Sequence, residues 1–190
     1  NKMSLLIMRI LIYNKYIFTL GGNHFMAKII ALFNNKGGVS KTTTTFHLGW
    51  KLAELGYKTL MIDTDPQCNL TGLCLNADKY NKLTQFYEAN NYNIKSALSP
   101  VLNNEMRPLE ATTCYEFEHN ENLFLLPGHI EFSEYDATYN IAENMTGSLV
   151  VLQNVPGALR QLITMTSEKY HLDFVLLDMS PSISATNANI

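Results

Sequence analysis

The chain alternates short apolar runs with polar loops and helically spaced segments. Ala27 to Phe33 (AKIIALF), Thr59 to Ile62 (TLMI), Leu123 to Leu126 (LFLL) and Phe174 to Leu177 (FVLL) are continuous apolar stretches. Such stretches predict strands buried on both faces, as in a parallel sheet. Thr42 to Leu55 places Phe46, Leu48, Trp50, Leu52, Ala53 and Leu55 at helical spacing and stops at Gly56, which predicts a helix. Ala158 to Tyr170 reads the same way, and Ile94 to Leu102 predicts a short helix before Pro100. Strand, loop, helix, strand over 27–62 is a parallel βαβ unit. The expected architecture is α/β, a mainly parallel sheet flanked by helices. Residues 76–122 are polar, rich in Asn and Tyr, and read least clearly, as helices and excursions.

Leu5 to Leu20 is apolar but broken by Arg9, Asn14 and Lys15, too short and too interrupted to span a bilayer, which takes about 20 apolar residues. No small-residue cleavage site follows it. Residues 1–25 therefore read as a leader outside the fold, with Met26 as the natural start. The alternative is an amphipathic helix lying on a membrane surface. Residues 26–190 form the expected domain.

Composition changes this picture little. The 190 residues are 46% hydrophobic and 16% charged, with net charge -3, which fits one globular domain and excludes a disordered polymer. The charge is uneven: eleven basic and five acidic side chains in 1–95, three and twelve in 96–190, giving +6 and -9. The second half repels polyanions. Cys68, Cys74 and Cys114 contain no C-x-x-C pair, so a disulfide framework or zinc knuckle is not expected, and reduced thiols in a cytosolic protein are.

The chemistry is concentrated after the first strand, at Lys36-Gly37-Gly38-Val39-Ser40-Lys41-Thr42-Thr43. Two adjacent glycines let backbone N–H groups turn into one concavity, and the following helix offers its N-terminus, a combination that holds phosphates. Lys41 is placed to reach the β and γ phosphates and the Thr42 hydroxyl to bind magnesium. Positions 35 and 40 are Asn and Ser, so the motif is not G-x-x-x-x-G-K-[ST] but K-G-G-x-x-K-[ST]. Asp63, Asp65 and Asp178 stand at strand C-termini, where such sheets bind ligands. Asp65-Pro66 is also turn chemistry, and a loop-capping role for Asp65 stays open.

The K-G-G-x-x-K-[ST] loop, the Asp63-Thr64-Asp65-Pro66-Gln67 stretch and the Phe174 to Pro181 segment (FVLLDMSP) resemble the deviant-Walker (SIMIBI-type) P-loop ATPases, and among them the ParA/Soj branch. The resemblance covers Met26 to Ile190. It implies ATP and Mg2+ as cofactors, with Lys36 reaching the phosphates of a partner subunit across an ATP-dependent homodimer. It implies that Asp65 positions or activates the attacking water, that Asp63 supports the magnesium shell, and that Asp178 holds the metal through water. It further implies non-specific DNA and a ParB-like centromere-binding protein as partners, and a cytoplasmic, nucleoid-associated protein for which a membrane is not an expected partner. Such chains continue beyond the strand that carries Asp178, so the domain is expected to be incomplete at its C-terminus, with DNA-binding cations downstream of Ile190. Two other readings are a membrane-associated spatial regulator of the MinD kind and a truncated, non-catalytic nucleotide binder.

Overall fold

In the computed structural model the described residues are 9–13, 17–19, 22–24, 27–33, 40–75, 86–87, 92–133 and 157–179. The strands and α-helices that can be followed among these residues are, in chain order, β1 (Arg9–Tyr13), β2 (Ile17–Thr19), β3 (Gly22–His24), β4 (Lys28–Phe33), α1 (Lys41–Glu54), β5 (Thr59–Asp63), α2 (Asn69–Cys74), α3 (Ile94–Leu102), β6 (Tyr115–Phe117), β7 (Asn120–Leu126), α4 (Ala158–Tyr170) and β8 (Phe174–Asp178). A 3-10 turn at Ile130–Phe132 follows β7.

One six-stranded sheet has the order β1-β4-β8-β5-β7-β6. Its four inner strands are parallel, and the two edge strands are antiparallel to their neighbours. The βαβ unit expected at 27–62 is present, but β4 and β5 are not neighbours: β8 lies between them and pairs with both. Arg9–Tyr13, from the expected leader, pairs with β4, while β2 and β3 form a separate hairpin. These described parts of the leader are extended. No described helix is long and apolar enough to cross a membrane.

The side-chain period of two along each strand sorts the core into two layers. Met61, Leu123, Leu125 and Leu176 point to the face covered by α1 and α2, packing with Ala53, Leu70, Phe46 and Trp50. Leu60, Ile62, Leu126, Val175 and Leu177 point to the opposite face, against Ile94 and Leu98 of α3 and Leu159 and Leu162 of α4. Burial on both faces explains why these strands read as unbroken apolar runs.

The helix expected to stop before Pro100 runs through it to Leu102. Proline at the seventh of nine positions removes a single internal hydrogen bond, and the helix ends two residues later. At its other end Asn93 and Ser96 form a reciprocal capping box, each side chain bonded to the other's backbone N–H, worth about 1 kcal/mol.

A phosphate-loop helix facing buried strand-end carboxylates

Register brings the expected site residues together. Asp63 is paired with Asp178 across β5 and β8, and Leu32 of β4 is paired with the same Asp178. β4 therefore ends, at Phe33, one residue beyond the level of the two carboxylates. Lys36, Gly37, Gly38 and Val39 lie outside the described residues; Ser40, Lys41, Thr42 and Thr43 are within them.

Ser40 enters α1 in the left-handed region (φ 61°) and makes no side-chain cap, and the first turn carries no acid. The opening N–H groups of a helix have no intrahelical acceptor and carry the positive end of its dipole. At α3 the capping box meets part of that demand; at α1 the Ser40 side chain does not, an arrangement that suits an anion. Lys41, the first residue of α1, is 7% exposed. Cys68, which enters α2, also has a left-handed backbone (φ 54°). Of the four described non-glycine residues with a left-handed backbone, Ser40 and Cys68 sit where a strand-end loop turns into a helix beside the carboxylates, while Asn104 and His171 follow helix C-termini.

Asp178 is 1% exposed, and among the described residues neither carboxyl oxygen has a hydrogen-bond partner of good geometry. Burial raises its pKa to about 6; the Thr42 hydroxyl opposes the rise without closing a hydrogen bond of good geometry, Asp65 adds to it and Lys41 opposes it. A buried carboxylate with unmet acceptor capacity, close to a threonine hydroxyl and a lysine, fits an oxygen-seeking cation that keeps several waters. Among the described residues no three His, Cys, Asp or Glu side chains are grouped to hold a metal ion by themselves. Phosphate and water would have to share its coordination. Magnesium therefore suits Thr42 and Asp178.

Asp63 is fully buried and its oxygens are committed. Oδ2 accepts from the Thr71 N–H (2.8 Å) and hydroxyl (2.7 Å), and Oδ1 from the Asp65 N–H (3.2 Å). Burial nevertheless raises its pKa to about 7, with Asp178 adding to the rise against those hydrogen bonds. Asp65, 8% exposed, accepts the Gln67 N–H at Oδ1 (3.0 Å), so the loop-capping role is real at that oxygen. Thr64 donates its N–H and hydroxyl to the Asp178 carbonyl, at 3.0 and 2.8 Å, tying the two strand ends together. Cys68, Cys74 and Cys114 are free, and burial pushes the Cys68 and Cys114 thiols up to about 12. They are inert at neutral pH.

Sequence reasoning missed Thr71 and Gly128. Gly128 N–H donates to the Thr71 hydroxyl (2.8 Å), and a Cβ on Gly128 would lie 3.0 Å from Asp63 Cγ. The Pro127-Gly128 pair signals a turn, but not which carboxylate the turn meets. A separate polar groove of about 410 Å³, lined by Ser96, Arg107, Glu110 and Thr112 among others, shares no residue with this site.

A family model described as an AAA domain matches residues 27–190. The chromosome-partitioning ATPase Soj of Treponema pallidum is 30% identical over 169 residues, covering 86% of this chain and 53% of that protein. Soj of Thermus thermophilus is 33% identical over 161 residues, 84% of this chain and 49% of that protein. Cobyrinic acid a,c-diamide synthase of Mycobacterium smegmatis, solved with ADP and magnesium, superposes with a TM-score of 0.57 at 26% identity, covering 86% of this chain and 55% of that one. The chain spans about half the length of the curated relatives it matches.

Proposed function

The chain belongs to the ParA/Soj-type partition ATPases, and from that premise we propose that the protein is a magnesium- and ATP-dependent dimer switch. Its role is the segregation or positioning of plasmid, chromosome or mobile-element DNA. The observation that carries the nucleotide chemistry is Asp178: two buried oxygens on the central strand, without a well-formed partner among the described residues, drawn on by Thr42 and Lys41.

In this reading Lys36, Gly37, Gly38, Val39, Ser40, Lys41, Thr42 and Thr43 bind ATP, with Lys41 and the opening N–H groups of α1 on the β and γ phosphates. Thr42 and, through water, Asp178 would hold Mg2+, and Asp63 would support that shell by holding the Asp65 backbone. When bound, magnesium draws negative charge from the phosphate oxygens. Asp65 orients the attacking water and holds the proton that it sheds. Lys36 of each subunit reaches the phosphates of the other, so hydrolysis is slow until the dimer forms and a ParB-like partner stimulates it; a cation supplied this way is worth about 10³ to 10⁵ in rate. Non-specific DNA is bound in the dimer state, through residues beyond those described, in the cytoplasm at the nucleoid.

The test is light scattering after gel filtration on the Asp65→Ala protein, expressed from its full reading frame, with and without Mg-ATP. The expected result is a shift from monomer to dimer on ATP together with loss of turnover. ATP binding without dimerisation would reduce the protein to a single-subunit nucleotide binder, and wild-type turnover in this variant would remove Asp65 from the mechanism.

A further inference from the structure

We infer that Thr71 is a positioning residue for ATP hydrolysis, the middle of a hydrogen-bond relay that fixes Asp65 against the turn after β7. The inference rests on the role proposed for Asp65. It concerns a residue with no place in the phosphate loop or at the strand ends.

Thr71 is the third residue of α2 and is fully buried. A hydroxyl has a single proton to give. Because Gly128 N–H donates to Thr71 Oγ1, that proton is directed to Asp63 Oδ2, where the Thr71 backbone N–H also arrives. Asp63 passes the constraint on, since its other oxygen accepts the Asp65 N–H. Gly128, Thr71, Asp63 and Asp65 are thus joined by consecutive hydrogen bonds, all buried.

The far end of the relay is anchored independently. The Pro127 carbonyl accepts the Ile94 N–H at the start of α3 (2.9 Å), and the Gly128 carbonyl accepts the Tyr87 hydroxyl. Parallel pairing of Ile62 with Leu126 sets the next residues, Asp63 and Pro127, side by side. The position of Asp65 is therefore referred to the β7 turn and not only to its own loop. Removing the Thr71 hydroxyl leaves the Gly128 N–H buried without its acceptor and takes one of the two donors from Asp63 Oδ2.

Thr71→Val keeps the shape and deletes the hydroxyl; Thr71→Ser keeps the hydroxyl. Both are made in the protein expressed from its full reading frame. Two quantities are measured: amide hydrogen exchange over the segments holding Asp65 to Gln67 and Gly128, and steady-state ATP turnover with magnesium. Thr71→Val is expected to speed exchange in both segments and lower kcat about 10- to 100-fold, the worth of a hydrogen bond to a charged group. KM should stay within about twofold, since the phosphate contacts are untouched. Thr71→Ser is expected to restore both readouts.

Unchanged exchange at Asp65 in Thr71→Val overturns the relay whatever the turnover. So does faster exchange with wild-type kcat, a loss shared equally by KM, or a serine variant as impaired as the valine. If Thr71→Val does not fold, Gly128→Ala presses on the same carboxylate with the hydroxyl retained, and a normal kcat there overturns the inference. A wild-type protein that binds ATP without turning it over marks instead the failure of the ATPase reading, and the exchange measurement then decides the relay alone.

Discussion

Asp63 and Asp178 face each other across two central strands, and in both burial outweighs the groups that favour the charged form. A carboxyl whose pKa is raised on folding stabilises the fold while protonated and loses that contribution as pH rises through the folded value. For these two groups the loss runs from about pH 4 to about 6 for Asp178 and about 7 for Asp63. Without nucleotide and metal, Asp178→Asn is therefore expected to be more stable than wild type at pH 7.5 by about 1–3 kcal/mol. The difference should vanish near pH 4, where the wild-type carboxyl is itself neutral; denaturant titrations at the two pH values check this. The placement of Asp63 and Asp178 at strand ends was legible in sequence because an apolar run closed by an aspartate is a local pattern. Thr71 and Gly128 were not, because a threonine in a six-residue helix and a glycine after a proline acquire their partners only through tertiary register.

At the scale of elements, α1 owes its closeness to the sheet to Gly49. A Cβ there would lie 2.4 Å from Met61 Sδ, and Met61 is fully buried, so its thioether would have to shift within the core. Alanine is the better helix former by about 0.5–1 kcal/mol, yet Gly49→Ala is expected to destabilise by about 1–3 kcal/mol through overpacking. Because α1 carries Lys41 and Thr42 at its other end, nucleotide affinity should fall as well; thermal unfolding and fluorescent-nucleotide titration read the two effects. Three of the four parallel strands and the two long helices were legible to within a residue, their patterns being unmixed, whereas β7 begins at Asn120, three polar residues before the apolar run that marked it. Five of the described strands and helices were not foreseen. Arg9–Tyr13, Ile17–Thr19 and Gly22–His24 lie in the segment expected to be a leader. Tyr115–Phe117 is three residues with a register shift inside it, and Asn69–Cys74 is under two turns, so neither shows a period. Pro100 misled in the other direction, because a capped helix near its end tolerates what an interior turn does not.

For the whole molecule, the prediction turns on the second lysine. Lys36→Ala is expected to bind Mg-ATP with near-normal affinity, remain a monomer on light scattering in its presence, and lose turnover by about 10³-fold or more. An ATP-driven dimer in that variant would show that Lys36 is not needed for association. Fold class followed from the sequence because apolar runs separated by helical segments admit few architectures. Strand order did not, since nothing local to residues 174–178 says that they insert between β4 and β5.

That insertion bears on how the protein is made. On a ribosome β4 and β5 emerge more than a hundred residues before the strand that joins them, and until then the sheet has an open slot where its centre belongs. Contacts so distant in sequence form slowly and leave apolar edges uncovered in the meantime. Asp178 comes with the strand that closes the slot. In the proposed function, then, a nascent chain could not complete the metal-binding side of its nucleotide site before its sheet is whole, and the capacity to hold Mg-ATP would arrive together with the fold that protects it.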